Sequence, residues 1–307
     1  MHIPVLLNET IESLAVKQGG VYIDGTLGGA GHSTRLMEKA GDGARLLGID
    51  KDVQAVERCK LVLANVPGAK TIVHGSHGDI VSISKTNGFE KVDGILLDLG
   101  VSSFQIDEAD RGFSFMKDGP LDMRMDGSAA LSAADIVNTA PEEELERIFR
   151  EYGEEKFAKR IARAICLRRA TSKIETTSQL AELVQESVPR TGAKHPATRV
   201  FQALRMAVNS EIDDLKRALE GGLELLKVGG RFAVITFESV TDRIVKRFFA
   251  MHQRREVSLL QGGVRTEGER PYVKLVFRHA VKPSNEEISN NVRSRSAKLR
   301  VAERTGE

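Results

Sequence analysis

Three aspartates and a run of glycines carry most of the chemistry legible in this chain. Val21, Tyr22 and Ile23 form a β-type run that ends on Asp24, and Gly25, Gly28, Gly29 and Gly31 follow within seven residues. His32 and Ser33 then open an amphipathic stretch, Thr34 to Ala40. A strand, a glycine-rich turn and a helix start make the nucleotide-binding corner of an open α/β sheet, where glycine lets the backbone approach a ligand closely. A glycine cluster alone serves equally as a tight βα connection, so the choice rests on the acids. Asp50 closes a second apolar run, Arg45 to Asp50, and Asp98 closes a later one within Val92 to Gly100. Asp24 and Asp50 each have a plainer role open to them, as a turn-capping carboxylate and as a strand-end Asp ahead of a helix. Asp98 is harder to explain that way: a carboxylate at the carboxyl end of a central parallel strand sits at the mouth of the ligand crevice.

Two ligands compete for such a corner. A nicotinamide dinucleotide needs G-x-G-x-x-G; Gly29-Ala30-Gly31 supplies the first pair, but the third position falls on Thr34, where close helix–strand packing asks for Gly or Ala. S-adenosylmethionine has no pyrophosphate and does not need that third glycine. Its ammonium and ribose hydroxyls call for acids on the first two strands, where Asp24 and Asp50 stand. The spacing favours the methyl donor.

The elements around these residues alternate. Helix-like Val53, Val56, Cys59 and Leu63, a strand at Thr71 to His74 and another at Val92 to Gly100 imply a parallel sheet with helical crossovers. From about Ile106 to Pro196 no strand is expected. Thr139 and Glu142 have capping-box spacing ahead of Leu145, Ile148, Phe149 and Tyr152; a second helix carries Phe157, Ile161, Ala164 and Ile165; a third starts at Thr176 to Gln179. One long helix is expected from His195 to Leu226, then a fifth strand at Arg231 to Phe237, a helix at Asp242 to Ala250, and an antiparallel pair at Val257–Leu260 and Tyr272–Phe277. The fold class is therefore α/β, a Rossmann-like methyltransferase sheet interrupted by a helical insertion, with 1–106 and 199–307 as one discontinuous domain and 107–198 as the insertion.

Composition narrows the setting. In 307 residues, 41% are apolar and 29% charged, which suits a globular chain, and a net charge of +2 implies no nucleic acid by itself. Only Cys59 and Cys166 occur, which argues against a disulfide framework or a zinc site and for a reducing compartment. No apolar run is long enough to span a membrane and no basic leader is evident, so a cytoplasmic protein is expected.

Several long strings then resemble one family: HIPVLLNE (2–9), DGTLGGAGHS (24–33), DGILLDLGVSS (93–103), RGFSF (111–115), PLDMRM (120–125), YGEE (152–155), HPATRVFQALRMAVN (195–209), DRIVKRF (242–248) and RSAKLRVAER (295–304). Together they look like the bacterial 16S ribosomal RNA cytosine-N4 methyltransferase family, nearly end to end. The resemblance implies a Rossmann-like domain interrupted by helices, S-adenosylmethionine as cofactor, and a cytidine in the decoding region of 16S rRNA as acceptor; no metal is expected, and the rRNA is expected as partner either naked or within the small ribosomal subunit. The resemblance is compatible with a homo-oligomer. Its donor-binding positions fall on Ala30, Gly31, His32, Asp50, His77, Asp98 and Gln105. Three positions depart from the family's pattern: His77 replaces a usual Phe, Phe104 a usual Pro, and Glu238 lies in a string that differs from the usual SFHSLE.

The exocyclic amine of cytosine is a poor nucleophile, because its lone pair is delocalised into the ring, so positioning must supply much of the rate. Many amino-directed methyltransferases end strand four in Asp/Asn-Pro-Pro-aromatic; this chain has Asp98-Leu99-Gly100-Val101. Asp98 is the catalytic candidate, organising donor or amine, with Phe104, Phe113 or Phe115 available to stack an unpaired base. Candidates to hold RNA are the Arg160 to Arg169 helix, Arg199 and Arg205, and the Arg293 to Arg304 tail, the tail having no apolar stripe to explain its charges. The rival readings are a nicotinamide-dependent oxidoreductase and a ribosome-assembly factor that binds RNA without turnover.

Overall fold

A computed structural model describes residues 4–189, 195–258 and 264–306. The chain divides into two compact units, one of residues 1–100 and 213–307, the other of residues 101–212.

The first unit is built on a sheet of seven strands among the described residues: β1 (Val21–Asp24), β2 (Arg45–Asp50), β3 (Ala69–His74), β4 (Val92–Asp98), β5 (Leu226–Thr236), β8 (Val273–Leu275) and β9 (Lys298–Arg304). Their order is β3-β2-β1-β4-β5-β9-β8. The first five run parallel, while β9 lies antiparallel to β5 and β8 antiparallel to β9. The two remaining strands, β6 (Arg255–Ser258) and β7 (Val264–Glu267), pair with each other. Central strands buried on both faces read as continuous apolar runs, and Ile23, Leu46, Leu47, Ile95, Leu97, Phe232 and Val234 are all fully buried. Strand order reverses between β1 and β4, the switch point where open α/β sheets bind ligands.

Helices α1 (Leu7–Ser13), α2 (Gly31–Ala40), α3 (Val53–Leu63) and α4 (Ile80–Thr86) fill the first half of this unit. In the second unit follow α5 (Ser103–Asp107), α6 (Ala133–Thr139), α7 (Glu142–Glu151), α8 (Ala158–Arg169), α9 (Thr177–Ser187) and α10 (Ala197–Val208). Then come α11 (Glu211–Leu225), α12 (Ser239–His252) and α13 (Asn285–Asn290). The helical unit has its own core, in which Leu145, Phe149, Ile161, Ile165, Leu180, Val184, Val200 and Leu204 pack together. No strand occurs there among the described residues, although Pro120 and Thr176 form an isolated bridge. The helical unit extends past 198 because α10 contributes Ala197, Val200, Phe201, Ala203 and Leu204 to its core.

Four local expectations are corrected. The single helix from His195 to Leu226 is two, α10 and α11, broken at Asn209 and at Ser210, whose φ of 51° lies in the left-handed region. Thr139 does not cap α7: it ends α6, donating its hydroxyl to the Asp135 carbonyl, and Pro141 stands before α7. The third helix does start where expected, and there Thr176 forms a capping box with Gln179. At the C-terminal end, Val257 and Ser258 pair with Val264 and Arg265, and Val273–Leu275 pairs with β9 rather than with that segment; Leu259 and Leu260 lie outside the described residues.

The part of the basic tail from Lys298 on is the fourth correction. Lys298 to Arg304 is a strand in the sheet, with Leu299, Val301 and Ala302 buried. Lys298 and Arg300 bind Asp242, and Arg304 donates to the carbonyls of Leu223, Glu224 and Leu226 near the end of α11. Those charges serve the fold. No helix among the described residues is long and apolar enough to cross a membrane.

Candidate methyl-donor site

The three aspartates end three neighbouring parallel strands, Asp50 on β2, Asp24 on β1 and Asp98 on β4. Between β1 and α2 the chain makes the glycine turn. Gly28 has φ 52°, and a Cβ built there meets nothing within 4 Å, so its side faces open space. Ala30 also lies in the left-handed region, φ 61°, and stands as the N-cap of α2 with no side-chain cap. A non-glycine residue held there costs about 1 kcal/mol or more and persists where surroundings enforce it. Here the Ala30 amide donates to the Leu27 carbonyl at 2.7 Å and its side chain is fully buried. Gly31 is required for space: a Cβ would lie 2.2 Å from Cγ of Pro4.

Each acid is held differently. Asp24 is buried; its Oδ2 accepts from the Ser33 hydroxyl at 2.6 Å and its Oδ1 from the Thr26 amide at 3.0 Å. Burial outweighs those bonds and pushes its carboxyl up to about 6. Asp50 turns Oδ2 to the Gly28 amide at 2.8 Å and Oδ1 to the Asp52 amide at 2.9 Å, fixing the glycine turn from the side; burial raises its carboxyl above the usual range. Asp98 has its backbone amide donating to the Thr26 hydroxyl at 2.6 Å, while its Oδ1 is buried without a hydrogen-bond partner. Burial first, and the Asp24 charge second, push the Asp98 carboxyl up to about 7.

Two histidines flank the acids. His32, in the first turn of α2, places Nε2 3.0 Å from the Val5 carbonyl and Nδ1 3.7 Å from Asp98 Oδ2. A carbonyl only accepts, so Nε2 carries the proton in that contact and Nδ1 is the nitrogen toward Asp98. His77 follows β3, on a turn where the Ser76 hydroxyl accepts from the Gly78 amide and donates to Asp214 at 2.5 Å. Lys51 also binds Asp214. A Cβ on Gly25 would come 3.1 Å from the His77 Cβ, so the ring's root lies against the glycine turn. Burial, helped by the Lys51 charge, pushes the His77 imidazole down to about 4, so it is neutral at physiological pH.

The first unit thus gathers Ala30, Gly31, His32, Asp50, His77 and Asp98 at the carboxyl edge of its parallel strands. Gln105 belongs to the other unit, where it is buried and shares a capping box with Ser102 at the start of α5. Phe113 and Phe115 pack on the helical core, Phe115 edge-on to Phe201 at 4.9 Å. Arg205 is buried against Glu211 at 2.7 and 2.9 Å and Arg199 donates to the Glu154 carbonyl; the Arg205 guanidinium is corrected from a candidate RNA contact to an internal ion pair. Sequence reasoning missed Thr26, Ser33 and the Val5 carbonyl. Ser33 was findable as a hydroxyl one turn into the helix after the glycines; the other two depend on tertiary approach. No group of three or more His, Cys, Asp or Glu side chains among the described residues is placed to hold a metal ion.

Known proteins resemble this chain over nearly its whole length. Ribosomal RNA small subunit methyltransferase H of Caldicellulosiruptor bescii is 46% identical over 304 residues, covering 99% of each chain. The protein of the same name from Carboxydothermus hydrogenoformans is 47% identical over 305 residues, 99% of this chain and 97% of that one. That of Clostridium botulinum is 45% identical over 302 residues, 98% of this chain and 97% of the other. The model of the MraW methylase family matches residues 1–305. A match of that extent, on a chain whose strand-end acids surround a glycine turn at the sheet's switch point, places this protein in the MraW methylase family.

Proposed function

We propose that this protein transfers a methyl group from S-adenosylmethionine to the exocyclic N4 of one cytidine in the decoding region of 16S rRNA. Membership of the family makes the chain a methyltransferase that uses S-adenosylmethionine. Relatives named for methylation of small-subunit rRNA, aligned over nearly their whole length, support that RNA as its substrate. The single base, the atom and the position in the decoding region come from the resemblance noted in the sequence.

The observation that carries the reading is the trio Asp50, Asp24 and Asp98 on adjacent strand ends around an open glycine turn. The donor is a cation at both its sulfonium and its ammonium. Carboxylates that burial has pushed up to about 6 and about 7 gain from a bound cation, because it favours their charged form. The buried Asp98 Oδ1 without a partner is a polar group of the kind a ligand satisfies. On these grounds the residues fit S-adenosylmethionine, and Ala30, Gly31, His32, Asp50, His77, Asp98 and Gln105 are the proposed donor-binding set, Gln105 on the resemblance alone. When bound, the donor supplies an electrophilic methyl group.

This chain's residues then have positional work. Asp50 holds the Gly28 amide and is free through its remaining lone pairs to accept ribose hydroxyls. The Asp98 carboxyl, with its Oδ1 buried and without a partner, is left with acceptor capacity for an N–H of the cytosine amine. The experiment is methyl transfer from labelled donor to small subunits of a strain lacking the enzyme, followed by nucleoside mass spectrometry. N4-methylcytidine at one site is expected. Label on another base, or none, rules the reading out.

A further inference from the structure

Between Lys156 and Lys173 the sequence carries seven basic residues and no acid, although the whole chain has a net charge of only +2. α8 lies within this stretch and packs Ala158, Ile161, Ala162 and Ile165 into the helical core. Its other face presents Lys159, Arg160 and Arg163, all exposed, with exposed Lys156 just before the helix. Residues three and four apart on a helix are neighbours, so one turn brings Arg163 beside Lys159 and Arg160. Leu167, one turn further, is 65% exposed.

Many basic residues of the protein are taken up by the fold, whereas these are not. On the preceding helix, α7, Arg147 is paired with Glu144 and Glu151, and Arg150 with Glu146. Arg169, at the end of α8, donates to the Val137 carbonyl. In the C-terminal strand, Lys298, Arg300 and Arg304 are taken up by Asp242 and by carbonyls near the end of α11. Among the described residues, no side-chain hydrogen bond or ion pair holds Lys156, Lys159, Arg160 or Arg163. Lys159 and Arg160 also sit in the first turn of α8, where no acid stands and the helix dipole disfavours cations. That placement costs stability locally and raises the positive potential at one end of the stripe.

From this we infer that the outward stripe of α8, Lys159, Arg160 and Arg163 with Lys156 at its head, is a docking surface for the phosphate backbone of the RNA substrate. The inference rests on the function proposed above, which supplies the polyanion. Arginine and lysine in a row bind phosphates through charge and N–H donors without reading bases. A protein partner would call for aromatic or large apolar anchors at the centre of the patch; Leu167 alone does not make one. The surface therefore holds and orients RNA, while base choice belongs elsewhere.

The test uses the full-length enzyme and small-subunit rRNA, measuring affinity between 50 and 200 mM salt alongside methyl transfer. Every phosphate that the protein no longer neutralises lowers the slope of log affinity against log salt by about 0.7 to 0.9, so K159Q/R160Q/R163Q should flatten it by about two to three. Over that fourfold salt range the parent should then weaken about 20- to 40-fold more than the variant. KM for RNA should rise, with donor affinity, helical circular dichroism and kcat at saturating RNA unchanged. Two controls fix the interpretation. K159R/R160K/R163K should keep the parental slope, and K39Q/K85Q/K246Q, the same charge change at exposed positions of the other unit, should keep it too. A parental slope and KM in the α8 triple variant, or an equal loss in K39Q/K85Q/K246Q, overturns the docking surface while the methyltransferase reading stands. A parent that neither binds nor methylates the RNA defeats that reading, and the surface with it.

Discussion

At the scale of single residues, Asp98 carries the most consequential environment. Burial and the neighbouring Asp24 push its carboxyl up to about 7. A carboxyl whose folded value lies above its unfolded one adds stability below the unfolded value, near 4, and loses that contribution as pH rises through about 7. The donor-free protein should therefore lose thermal stability between about pH 4 and 7. Asp98→Asn should flatten that loss and raise the melting temperature at pH 8 by about 3 to 6 °C, if one pKa unit, about 1.4 kcal/mol, is recovered. Donor affinity has the opposite sign: a cation prefers the ionised carboxyl, so it should tighten as pH rises to about 8, and Asp98→Asn should abolish the part of that rise near pH 7. Calorimetric titration with S-adenosylmethionine at several pH values, beside thermal melts, measures both. A donor affinity independent of pH in the parent would remove Asp98 from the site.

At the scale of elements, the break between α10 and α11 is specified by one side chain. Asn209 donates to the carbonyls of Met123 and Arg205 and accepts from the Met125 amide, at 2.7 to 2.8 Å. It is buried, so its loss leaves backbone groups of the 123–125 turn unsatisfied. Each such group costs about 1 to 3 kcal/mol, and Asn209→Ala should destabilise the helical unit by about 2 to 4 kcal/mol in urea melts followed by helical signal. Asn209→Asp restores only the acceptor and should recover part of this. The break was not legible because the apolar period runs on through both helices, while the interaction that stops it comes from 84 and 86 residues away in sequence. Thr176 was legible for the opposite reason: its capping partner Gln179 is three residues away. Thr139 had the same spacing signal, but Asp135 and Ser132 form the box of the preceding helix, and the Thr139 hydroxyl turns back to the Asp135 carbonyl.

At the scale of the whole molecule, the sheet is assembled from strands on both sides of the helical insertion in sequence, and its last strand is fixed by charge. Asp242, buried at the start of α12, binds Lys298 at 3.0 Å and Arg300 at 2.7 Å on β9. Burial by itself would raise its carboxyl, but Arg300 and Lys298 hold it below the usual carboxylate range. Its contribution is therefore present at neutral pH and lost as pH falls through that lowered value. Asp242→Asn should cost about 2 to 3 kcal/mol at pH 7, less than a fully buried pair because Lys298 is partly exposed. The cost should shrink toward pH 3, which urea melts across pH would show. Basic residues without an evident apolar stripe made this tail a candidate to hold RNA, although Leu299, Val301 and Ala302 are buried in the sheet. Its partner lies 56 to 58 residues earlier, and no local pattern announces it.

The sequence by itself determined the parallel strands, the glycine corner and the acids that end β1, β2 and β4. These follow from local rules: a strand buried on both faces is an apolar run, and a carboxylate closing that run stands out against it. It also determined that an all-helical stretch interrupts the sheet. Only the tertiary structure decided which charges are free. It placed Ser33 on Asp24, the Val5 carbonyl on His32, Glu211 on Arg205 and Asp242 on the tail, and it left the stripe on α8 to solvent. A side chain's type fixes what bonds it can make; whether a partner from a distant segment uses it depends on how the backbone brings the two within about 3 Å.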